Sequence, residues 1–202
     1  MTGENGPRRK TLGVLFIHRW ADREYGLLAA SAADWFDTKV LSLAPGGREV
    51  SSASGFRLTP DRPLDAEANA DLHAIAVIGS DRWPESEAPE VGGLLRAVAE
   101  KGGVVGGICA GTLPLARAGL FAGRDHTSNG REWIMGRVPG YAGSERYRDV
   151  PHAVCDRRIV SAPGSAPGTF ACAFLGALYP EREAMLCDMH AMFAKEYGAS
   201  AS

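Results

Sequence analysis

Cysteine, surplus charge and long apolar runs are all scarce in this chain, and each shortage removes a class of protein. Only four cysteines occur in 202 residues, at 109, 155, 172 and 187. No CxxC pair exists, which excludes a zinc ribbon and a thioredoxin-type redox motif. Four cysteines are also too sparse for a disulfide scaffold, so reduced thiols in a cytoplasmic protein are expected. Lys and Arg number 22 against 24 Asp and Glu, a formal net charge of −2. That balance lacks the basic excess of a nucleic-acid-binding protein. The longest apolar runs, around Leu15 to Ile17 and Ala74 to Ile78, fall far short of the roughly 20 residues a membrane span requires. The five histidines are dispersed with no HxxxH or HxH spacing, so no metal site is indicated. The pairs Gly46-Gly47 and Gly102-Gly103 lack the rest of any phosphate-binding loop, and no cofactor is implied.

What is present is an ordinary globular composition, 45% hydrophobic, at a length suited to one domain with a complete core. Residues 1–10 are polar and read as a frayed tail, leaving 11–200 for the domain. Strands are expected at Thr11 to His18, Lys39 to Leu43, Ala74 to Ile78 and Val104 to Ile108, with short ones near Ala153 and at Ile159 to Ala162. Their unbroken apolar character suits strands buried on both faces of a parallel sheet. Helices are expected at Arg23 to Phe36, Pro89 to Lys101, Ala110 to Ala118, Gly168 to Leu178 and Pro180 to Tyr197. Residues 49–59 read as an irregular extended excursion. Alternating strands and helices predict an α/β domain with a mostly parallel sheet covered on both faces.

In such a sheet the reactive chemistry lies beyond the carboxyl ends of the strands. Three strand ends stand out: "HRWADRE" from His18, "GSDRW" from Gly79 and "GGICAGT" from Gly106. The last holds a GxCxG sequence between an expected strand and an expected helix, the context of a nucleophile turn. Glycines on both sides allow a sharp bend, and the helix N-terminus directs free N–H groups and positive dipole toward the sulfur. A lowered thiol pKa at Cys109 is therefore expected, with the Ala110 N–H placed for an oxyanion. Cysteine is often simply buried, and Cys172 and Cys187 on apolar helices and Cys155 on a short strand take that reading. Asp22 is a plausible N-cap for the first helix. Glu24 would then sit in its first turn, where the macrodipole alone favours an acid.

The segment "GGICAGTLPLARAGLFAGRDHTSNG" resembles the ThiJ/PfpI family, within the class I glutamine amidotransferase-like superfamily. The strings "WADRE", "VIGSDRW" and "VPHAVCDRRIVSAPGSAPGTFA" extend the resemblance from about Thr11 to Ala177, in the family's order. It implies a flavodoxin-like three-layer sandwich, a homodimer, and a reactive cysteine at Cys109. It also implies a catalytic acid at Glu24, oxyanion donors in the backbone N–H groups of Ser80 and Ala110, and a pocket wall at Trp83. The family's usual histidine position falls on Asn129, with His126 three residues earlier, so the base is left open between His126, His18 and no histidine. His73, His152 and His190 have no comparable placement.

These readings converge on a cysteine-dependent enzyme acting on a small carbonyl or amide substrate, either a hydrolase or amidase or a glyoxalase or deglycase type. A glutaminase fits less well: Leu113 stands where a Gln is needed, and His190 is followed by Ala191 and Met192. A dienelactone-type hydrolase has too little chain left after Cys109. The alternative outside enzymology is a redox-responsive, stress-protective protein whose Cys109 is oxidised without turnover.

Overall fold

A computed structural model describes residues 9–198. The expected tail at 1–10 and the last residues of the expected domain therefore lie largely outside the described residues.

Six strands form the main sheet: β1 (Thr11–Leu15), β2 (Lys39–Leu43), β5 (Ala74–Val77), β6 (Val104–Ile108), β7 (Val154–Asp156) and β8 (Ile159–Ala162). Their spatial order is β2-β1-β5-β6-β8-β7, parallel except for the antiparallel edge strand β7. This is the flavodoxin-like order, in which the chain reverses its direction of travel across the sheet between β1 and β5. A crevice opens at that reversal, beyond the carboxyl ends of the strands.

The apolar runs are explained by burial on both faces. Leu12 and Val14 of β1, with Phe16 just beyond, join the core shared with α1 (Gly26–Asp34) and α5 (Pro167–Leu178). Leu15 and Ile17 face the opposite core, packed by α2 (Gly92–Glu100) and α3 (Thr112–Arg117). The same alternation divides Ala74, Ala76 and Ile78 from Ile75 and Val77. Fully burying side chains of this size stabilises by about 1.5–3 kcal/mol each, before the entropy of ordering is counted.

The remaining elements are α4 (Arg131–Arg137), α6 (Glu183–Gly198) and a small hairpin of β3 (Val50–Ser51) and β4 (Arg57–Leu58). That hairpin lies within the stretch expected to be irregular. Among the described residues no helix is long and apolar enough to cross a membrane, and no group of three His, Cys, Asp or Glu could hold a metal ion.

One expected boundary moves in a way that matters. The first helix begins at Gly26, not Arg23, and its N-cap position is Tyr25 without a side-chain cap. Asp22 is not an N-cap, because its carboxylate instead accepts from the Ser54 N–H and hydroxyl. Glu24 is consequently not in a solvated first turn. It lies in the turn between β1 and α1, turned inward and fully buried.

Candidate active site

The site is assembled from the loops that follow β1, β5, β6 and β8. Cys109 closes β6 and opens a one-turn 3-10 helix, Cys109–Gly111, that leads into α3. Its φ of 56° is left-handed, a conformation that costs a non-glycine residue energy and is retained where the surroundings over-determine it. The bend brings Gly111 against β5 so closely that a Cβ there would lie on the Val77 carbonyl oxygen. Thr112 Oγ1 donates to the Cys109 carbonyl at 2.7 Å and lies 2.6 Å from Ser128 Oγ, tying the turn to the 127–129 segment.

Glu24 reaches the same place from the β1 loop. The Gly79 N–H donates to its Oε2 at 2.8 Å, while its Oε1 is buried without a protein partner. Ala21 N–H donates to the Gly79 carbonyl at 2.9 Å and so fastens this loop to the one after β5. Gly164, beyond β8, forms the other wall. A Cβ there would stand 2.8 Å from Cys109 Sγ and 3.2 Å from Glu24 Oε1, so sulfur and free carboxyl oxygen border one small space.

Asn129 completes the polar set. Its Oδ1 accepts from the Gly164 N–H at 2.9 Å, which fixes the amide's orientation and directs Nδ2 at Cys109 Sγ, 3.1 Å away. The Ala110 N–H also faces the sulfur. Ser80 is buried beside the Glu24–Gly79 contact. Its hydroxyl donates to the His18 carbonyl at 2.6 Å and accepts from Arg82 N–H at 3.0 Å, and the residue borders the cavity.

Burial dominates the electrostatics. It pushes the Glu24 carboxyl up to about 7, against the opposing Gly79 N–H, Cys109 and Arg23. It also raises the Cys109 thiol, reinforced by the Glu24 charge and opposed by Asn129 and Ala110. The expected lowering of the Cys109 pKa is therefore overturned. A 3-10 turn followed by the six-residue α3 offers less dipole than a long helix, and a half-buried sulfur beside a carboxyl outweighs it. With Glu24 protonated, its charge no longer opposes ionisation of the thiol.

The cavity over Cys109 measures about 420 Å³ and is bordered by Arg19, Arg23, Asp81, Pro84, Trp133 and Arg137 as well as the residues above. Of the residues expected at the site, Cys109, Glu24, Ser80 and Ala110 are brought together around this cavity. Three other expected residues are not. His126 is fully buried and stacked on Phe121 at 4.2 Å between ring centroids. Its Nδ1 faces the Arg124 carbonyl at 3.0 Å and its Nε2 the Tyr141 hydroxyl at 2.9 Å. Asn129, three residues on, points the opposite way, as an odd spacing along extended chain dictates. His18 is exposed and its Nδ1 meets Ser51, away from the cavity. Trp83 is core: it is fully buried, its indole N–H donates to the Ile78 carbonyl at 2.8 Å, and Trp133 of α4 is the aromatic wall instead.

The sequence reading missed Gly164, Trp133 and Arg137 as site residues. Trp133 and Arg137 carry a weak signal, being four apart on one helical face just after Asn129. Cys155 and Cys187, expected to be packed away, are exposed.

The chain is similar to proteins of known sequence and structure. A Bacillus subtilis protein named an uncharacterized protease, YoaZ, is 29% identical over 162 residues, 77% of each chain. A Caenorhabditis elegans protein named a glutathione-independent glyoxalase, DJR-1.2, is 32% identical over 132 residues, covering 63% of this chain and 67% of that one. A DJ-1 superfamily protein from Agrobacterium tumefaciens superposes with a TM-score of 0.83 at 34% identity, covering 93% of this chain and 99% of the other. The model of the DJ-1/PfpI family matches residues 10–177, and the chain belongs to that family.

Proposed function

We propose that this protein is a cysteine-dependent enzyme acting on a small carbonyl or amide compound, with Cys109 as nucleophile and Glu24 as the group that moves protons. The observation that carries it is the pairing of Cys109 Sγ with a buried carboxyl whose free oxygen has no protein partner. A carboxyl raised to about 7 exists in both protonation states at neutral pH, as a group that both accepts and returns a proton should. On attack, the sulfur bonds to the carbonyl carbon and the thiol proton passes to the Glu24 carboxylate. The carbonyl oxygen takes the electron pair and is held by the N–H groups of Ser80 and Ala110.

Asn129 shapes which half of this class fits better. It donates to the sulfur, yet it has no proton to exchange, and among the described residues no histidine borders the cavity. Cleaving an amide needs an acid for the departing amine as well as a partner for the thiol. Addition to an aldehyde or ketone needs one proton carrier, so the carbonyl reaction is favoured. The same reading has a homodimer, as the family resemblance implies, in the cytoplasm, where its sparse cysteines would stay reduced.

Turnover of a panel of small aldehydes, 2-oxoaldehydes, amides and esters, wild type against Cys109→Ser, tests the proposal. Activity on a carbonyl that vanishes in the variant supports it, and equal activity in the two proteins overturns it. Selective peroxide oxidation of Cys109 with no turnover across the panel would favour the redox-responsive alternative.

A further inference from the structure

The Cys109 cavity carries more positive charge than its acids balance. Arg19, Arg23 and Arg137 border it, against Glu24 and Asp81. Asp81 is already engaged, 2.6 Å from Arg19 Nε and 4.0 Å from Arg82 Nε. Arg23 and Arg137 make no ion pair within 4 Å among the described residues.

Both guanidinium groups are nevertheless held in place. Arg23 Nε donates to the Gly164 carbonyl at 3.3 Å, the glycine that also borders the sulfur. Arg137 Nη1 donates to the Trp133 carbonyl at 3.0 Å, and its guanidinium lies 4.4 Å from the centre of the Trp133 ring. A carbonyl or an aromatic face orients a guanidinium without neutralising it. Each of these contacts uses one of five N–H donors, leaving a planar fork suited to a carboxylate. Two such forks border the same cavity as Cys109, and both side chains are open to an incoming anion.

We infer that the substrate is a small carbonyl compound that itself carries a carboxylate, of the 2-oxo acid kind, with Arg23 and Arg137 binding the carboxylate while the carbonyl meets Cys109. This deepens the proposed carbonyl chemistry and rests on it for turnover, though not for binding.

Alkylation of Cys109 reads the charge preference without turnover. In both iodoacetate and iodoacetamide the sulfur bonds to the CH2 carbon and iodide leaves to solvent; the two differ in charge, and mass spectrometry of the Cys109 peptide gives each rate. The iodoacetate-to-iodoacetamide ratio should fall about tenfold in the double variant Arg23→Gln/Arg137→Gln, and should also fall in the wild type at roughly 0.5 M salt. An unchanged ratio in the double variant overturns the assignment. A second measurement needs no reactive sulfur: glyoxylate binding to Cys109→Ala, followed by ligand-observed NMR. Binding that disappears when both arginines are replaced supports the assignment. Binding that persists, or none in Cys109→Ala itself, overturns it. Arginine-dependent binding without turnover by the wild type would sink the proposed catalysis and leave this site standing. Turnover of glyoxylate equally by wild type and double variant would do the reverse.

Discussion

Glu24 and His126 are both titratable, both fully buried and both close to the carboxyl end of the sheet, yet the fold treats them in opposite ways. His126 has a partner for each ring nitrogen and a ring stacked on Phe121. The Arg124 carbonyl can only accept, so Nδ1 carries the proton and Nε2 accepts from Tyr141 O–H. Burial lowers the His126 pKa, which keeps this neutral arrangement in place. Glu24 has a partner for one oxygen only, and the other oxygen borders the Cys109 sulfur. A buried polar group with every bond made is structure. One with a bond left over beside a cavity is available for chemistry.

Replacing Glu24 by Gln gives the widest separation between the two. Turnover should fall by about 10²–10⁴-fold, the range for losing a positioned acid–base group, and steady-state kinetics would show it. The same variant tests the electrostatics. The folded pKa of Glu24 lies above its unfolded value near 4.5, at about 7. Its contribution to stability is therefore fully present below about 4.5 and is lost as pH rises toward 7, amounting to roughly 3 kcal/mol across that window. Denaturation midpoints measured from pH 4.5 to 8 should decline for wild type relative to Glu24→Gln. A constant difference between the two would show that Glu24 is charged throughout.

Gly164→Ala attacks the space between sulfur and carboxyl. Its Cβ would stand 2.8 Å from Sγ, closer than packed atoms tolerate, so at least tenfold loss of turnover is expected, with slower alkylation of Cys109. His126→Phe should do the opposite, leaving activity per folded molecule intact. It would strand the Tyr141 hydroxyl and the Arg124 carbonyl, at a cost of about 2–3 kcal/mol in denaturant unfolding. Equal loss of activity and stability there would erase the distinction drawn above. The smallest effect belongs to Asn129→Ala. Removing its bond to the sulfur should move the pH midpoint of Cys109 alkylation upward, with a severalfold lower rate at neutral pH.

Much of this was legible in the chain itself. Doubly buried strands announced themselves as unbroken apolar runs, and the GxCxG turn located Cys109 because a bend of that sharpness demands small neighbours. Glu24 was legible only by family resemblance, since an acid near a helix start usually faces water. Its inward turn depends on Gly79 arriving from another strand, which no local pattern encodes. His126 and Asn129 were separable only by knowing which side of an extended segment faces the sulfur. Trp83 misled for a similar reason: proximity to a strand end does not say whether an indole turns toward the cavity or the core.

The site is a junction of five chain segments, at Glu24, Gly79, Cys109, Asn129 and Gly164, separated by as much as 140 residues along the chain. None of these segments holds its place alone; each is pinned by a hydrogen bond to, or close approach of, another. Catalytic output should therefore report on the integrity of the whole sheet. Heat inactivation and global unfolding should coincide within one transition, and a chain cut in two should regain activity only when both pieces reassociate around the junction.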